Sequence, residues 1–133
     1  MSINEKLKEL SSIDGFEGVG LFTPTGETLG VLDVDDTPKK MRAIGILANS
    51  VLINAQKVSI DIGAGRGQLV HIDTDSGSQI LVKCLNEGDD PLRSQPGKAH
   101  IHMVLMLKDD INIGLAKMKL DAVIGKLAQD FRM

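Results

Sequence analysis

Apolar residues recur along this chain with two periods, and the changes between them divide it into helices and strands. Ile3, Leu7 and Leu10 return at helical spacing with Lys6, Lys8 and Glu9 between them, which predicts a short amphipathic helix. Ser2 and Glu5 stand where a capping box would satisfy the backbone donors freed at its start, and Gly15 ends it soon after Ile13. Gly18 to Phe22 then reads as a strand, Pro24, Thr25 and Gly26 supply turn chemistry, and Glu27 to Asp33 returns as a second strand. Gly20 and Gly30, inside those strands, are better explained by a bulge or a close approach of another backbone than by binding.

Thr37 followed by Pro38 signals a helix start, and the apolar spacing carries that helix to about Gln56. Met41, Ile44, Ala48, Val51, Leu52 and Ala55 form its main apolar stripe, while Ile46 and Ile53 stand on the other side. From Ala43 to Gln56 there is no charged residue, only Asn49, Ser50, Asn54 and Gln56 as polar breaks. A helix covering one sheet face normally keeps its charges towards water. This one requires either a second covering layer or another chain, and the second is favoured.

The next stretch is strand-rich: Val58–Ile62, Gln68–Asp73, Gln79–Asn86 and Ala99–Lys108, separated by glycine- and aspartate-bearing turns. Glu87 to Lys98 holds two prolines and two glycines and reads as a surface loop. Asp109 or Asp110 is placed to cap a last helix, whose inner face would be Ile113, Ala116, Leu120, Val123, Ile124, Leu127 and Phe131. An antiparallel meander covered by helices is an α+β layered domain, without the strand–helix alternation of a doubly wound dinucleotide fold.

Composition narrows the function. At 133 residues the chain has the length of one domain, and 42% hydrophobic residues supply a core. There is no Trp or Tyr and only three Phe, so the aromatic platform common to base-stacking modules is missing. Fifteen Lys and Arg against eighteen Asp and Glu give a net charge of −3, with no basic footprint for phosphates. Nucleic acid is not an expected partner. The charged first ten residues, the lone Cys84 and the lack of an uninterrupted apolar run near ~20 residues lead to an expected cytoplasmic protein without membrane insertion.

Candidate chemistry is thin. Gly63-Ala64-Gly65-Arg66-Gly67 resembles a phosphate cradle, but a strand is expected to follow it, and the P-loop lysine and hydroxyl are missing. A glycine-rich hairpin is the better account, with Arg66 solvated. His100 and His102 alternate on one strand and so share a sheet face; with His71 or Cys84 they would have the donor types of a zinc site. Nothing in the spacing makes four ligands converge, and no metal is expected. Cys84, within the run Ile80 to Leu85, reads as a buried structural thiol rather than a nucleophile. The pairs Asp35/Asp36, Asp89/Asp90 and Asp109/Asp110 fall at loops or helix starts, where capping and solvation account for them. No catalytic residue and no cofactor is assigned.

The order of these elements resembles the roadblock family, the roadblock/dynein light-chain domain, in its prokaryotic form. The likeness is carried by Ile13-Asp14-Gly15-Phe16-Glu17-Gly18-Val19 after the first helix and by the hairpin at Thr25-Gly26-Glu27. The small and aliphatic residues from Ile44 to Ala55, and Asn112-Ile113-Gly114-Leu115 opening the last helix, complete it. The resemblance implies one roadblock-like domain over residues 1–133, a profilin-like three-layer sandwich whose central antiparallel sheet of five to six strands is flanked by three helices. It also implies a homodimer in which second helices pack together and the two sheets become continuous; the contact is expected at Ile46, Asn49, Ser50 and Ile53. The implied function is a non-catalytic regulator or scaffold of a small Ras-like GTPase. A structural subunit without a GTPase, or a small-molecule sensor using His100, His102 and Cys84, is the alternative. The loop Glu87 to Lys98 is longer than the family's usual connection; should Ala99–Lys108 pair at the dimer edge, it would alter the surface a GTPase meets.

Overall fold

A computed structural model describes residues 2–23, 26–34, 38–65, 67–85 and 101–131. Its elements are α1 (Ile3–Ser11), β1 (Phe16–Phe22), β2 (Thr28–Asp33), α2 (Pro38–Asp61), β3 (Leu69–Asp73), β4 (Gln79–Cys84), β5 (His102–Leu107) and α3 (Ile113–Phe131). The five described strands form one antiparallel sheet in the order β2-β1-β5-β4-β3. The architecture is the expected α+β three-layer sandwich, with α2 on one face and α1 with α3 on the other.

Strand alternation sorts the core into two halves. Val19, Leu105 and Leu81 are cross-strand partners and join Leu7, Leu10, Leu120, Val123, Ile124 and Leu127 beneath α1 and α3. One residue further along each strand, Val104 and Val82 join Phe22, Ala48 and Leu52 beneath α2. Each fully buried aliphatic side chain contributes about 1.5–3 kcal/mol, so the larger cluster under α1 and α3 dominates stability. The side chain of Phe131 lies outside the described residues.

Local chemistry explains the helix ends. Ser2 Oγ accepts from the Glu5 N–H at 3.2 Å and caps α1. Asp109 Oδ1 accepts from the Ile111 N–H at 3.1 Å, which tightens the turn before α3; the helix itself begins later, with the Asn112 carbonyl accepting from Ala116 at 2.8 Å. Asn112 also ties α3 to the segment after α1, since its Nδ2 donates to the Asp14 carbonyl at 3.2 Å. Gly30 lets α1 sit close on β2: a Cβ there would lie 2.6 Å from Ile3 Cγ2 and 2.9 Å from Asn4 Oδ1. The irregularity between β1 and β2 falls at Leu21/Phe22 rather than at Gly20.

Three expectations are corrected. Val58–Ile62 is not a strand: α2 continues to Asp61 and takes most of it in. The alternation Val58-Ser59-Ile60-Asp61-Ile62 imitates a strand, yet Val58, Ile60 and Ile62 are all exposed, so the pattern does not record burial. The glycine cluster therefore ends a helix instead of joining two strands. Gly63 at φ +77° donates to Ile60 O at 2.9 Å and Ala64 donates to Ser59 O at 2.9 Å, the paired bonds of a Schellman cap. Finally, β5 lies in the middle of the sheet, between β1 and β4, so the strand expected at Ala99–Lys108 has no free edge for another chain. Ala99, His100, Asn86 and the loop Glu87 to Lys98 lie outside the described residues, as do Arg66, Asp35/Asp36 and Asp89/Asp90.

Candidate functional site: the outer face of α2 and the β3 edge

α2 is seated on the sheet by one narrow side. Ala48 and Leu52 are buried, Ile44 and Ala55 are half-buried, and Gly45 presses on the Phe22 ring, where a Cβ would lie 2.5 Å from Cδ1. His102, fully buried, stacks on Phe22 with ring centroids 5.7 Å apart and holds the Gly45 carbonyl at 2.8 Å. A carbonyl only accepts, so Nε2 carries the proton. His102 is thus a structural clamp between β5 and α2. Cys84, its cross-strand partner, is buried in the same cluster.

His71 lies elsewhere. It pairs with Leu81, and Leu81 belongs to the core under α1 and α3, so His71 projects on the face opposite to His102 and Cys84. The sheet therefore separates His71 from His102 and Cys84, which spacing alone allowed to converge. Among the described residues no group of three or more His, Cys, Asp or Glu is placed to hold a metal ion.

The rest of α2 and the residue after it present apolar side chains outward. Ile46, Leu47, Val51, Ile53, Val58, Ile60 and Ile62 are between 38% and 73% exposed. Ile46, Ser50 and Ile53, three of the expected contact residues, lie on this exposed side; Asn49 is half-buried and its Oδ1 has no hydrogen-bond partner. Val51 departs from the expected inner stripe: it forms, with Ile44, Leu47, Ala48, Ile72, Ile80 and Val82, an aliphatic groove of about 170 Å³ between α2 and the β3–β4 side of the sheet. The side chain of Met41 lies outside the described residues. The segment Ala43–Asp61 is long and apolar enough to cross a membrane by length and composition, because its polar breaks are mostly uncharged amides and hydroxyls. This differs from the expectation drawn from uninterrupted apolar runs. Only 22% of it is buried in the chain itself, and that part rests on the sheet.

The two edges of the sheet are unlike. At β2 the Val31 N–H is taken by Asn4 Oδ1 of α1 at 3.2 Å, which blunts that edge. At β3 the hairpin geometry decides which groups face out. The Thr74 N–H donates to Ser78 O at 3.1 Å, and Gly77, at φ +96°, donates to Thr74 O at 3.1 Å. Counting back along the antiparallel register, Ile72/Ile80 and Val70/Val82 are the hydrogen-bonded pairs. Leu69, His71 and Asp73 consequently turn their backbone N–H and C=O away from β4, towards the edge. Two shallow clefts of about 400 Å³ beside α1, one near Asn4 and Thr28 and one near Lys8 and Asp33, bring together no comparable set of groups.

No family model matches this sequence, and no curated protein matches it. Solved structures do. A Roadblock/LC7 domain from Streptomyces avermitilis aligns with TM-score 0.75 at 12% identity, covering 96% of this chain and 95% of that one. The gliding protein MglB from Thermus thermophilus aligns with TM-score 0.76 at 18% identity, over 97% of this chain and 87% of that chain. MglB of Myxococcus xanthus gives 0.74 at 12% identity over 97% and 94%. The chain has the Roadblock/LC7 fold, and these neighbours are prokaryotic proteins.

Proposed function

We propose that this chain, on its Roadblock/LC7 fold, acts as a homodimeric regulator or scaffold of a small Ras-like GTPase in the cytoplasm, with no catalytic group of its own. The observation that carries the reading is the exposed apolar surface of α2, with Ile46, Ile53 and Ile60 at seven-residue spacing on one flank and Leu47, Val51, Val58 and Ile62 on the other, beside a sheet edge whose backbone groups point outward. Hiding such a face from water stabilises by about 25 cal/mol for every Å² covered, and a second copy offers the same face in return. On this reading the contact lies at Ile46 and Ile53, with Asn49 and Ser50 alongside, and β3 would extend the sheet across it. One structural neighbour, an MglB, is described in a tetrameric arrangement, which supports self-association on this fold. The family resemblance points to the GTPase.

A dimer of this kind presents one broad surface on which the switch segments of a GTPase can be ordered, which alters GTP turnover without an inserted catalytic side chain. The test is to combine the purified protein with the small GTPases of its host in both nucleotide states, measuring association and GTP hydrolysis. Binding to one GTPase that depends on the nucleotide, with or without a change in turnover, is the expected result. Failure of every GTPase to bind in either state refutes the regulator reading, and co-purification then identifies the complex it serves.

A further inference from the structure

We draw no further inference here: the strongest candidate, the aliphatic groove of about 170 Å³ between α2 and the β3–β4 side of the sheet, is lined by apolar side chains alone, and nothing in the structure shows what covers it.

Discussion

Replacing Gly45 by alanine sets two large effects against each other. Helix propensity favours the change: alanine in a helix interior is worth about 1 kcal/mol more than glycine. Packing opposes it. The new methyl would meet Phe22 at 2.5 Å from Cδ1, 2.7 Å from Cε1 and 2.7 Å from Cγ, where carbon contacts rest at about 3.5–4.0 Å. Relief requires the ring or the helix to move by roughly 1 Å. Phe22 is fully buried and stacked on His102, which is itself bonded to the Gly45 carbonyl, so neither ring has space to yield. Overpacking of this kind costs about 1–3 kcal/mol, and loosening the His102 bond adds about 1 kcal/mol. After the propensity gain, Gly45→Ala should destabilise the fold by about 1–3 kcal/mol. Because the chain has no Trp or Tyr, the assay is urea unfolding followed by far-ultraviolet circular dichroism, at one fixed protein concentration to hold self-association constant. Gly114→Ala is the matched control: it sits in the first turn of α3 with nothing within 4 Å of an added Cβ, and should gain about 0.5–1 kcal/mol. Equal or greater stability of the Gly45 variant would refute the clamp formed by Gly45, Phe22 and His102.

Ile53→Lys should convert the protein to a folded monomer, since an unpaired ammonium in a dry contact is costly while the isolated chain already exposes that residue; sedimentation with circular dichroism checks both halves. Asn112→Ala removes the donor to the Asp14 carbonyl and should cost about 1 kcal/mol in urea unfolding, with the dimer unaffected.

Much of this fold was legible where local chemistry and burial agree. Ser2 caps α1, Pro38 opens α2, and Ile113 to Leu127 bury one side of α3 at helical spacing. Val58–Ile62 imitates a strand without being one, because alternation marks a strand only when one face is buried, and these three aliphatics all face water at the end of α2. That imitation hid the helix cap at Gly63 and lengthened the apparent strand list. His100 lies outside the described residues, and the position of His71 relative to His102 depended on which strands are neighbours. That is a long-range fact, because β5 inserts between β1 and β4. Gly45 gave no sign of its role either, since the ring it admits belongs to Phe22, far back along the chain on β1. The outward face of α2, by contrast, was visible as the charge-free stretch from Ala43 to Gln56, because lack of charge needs no partner to be seen.

The central claim is that this face is covered by a second copy. Sedimentation equilibrium on the wild type at micromolar concentration measures it directly. A species of twice the 14.3 kDa chain mass is expected, reduced to one chain by Ile53→Lys. A wild type that sediments at 14.3 kDa across the whole concentration range would contradict it.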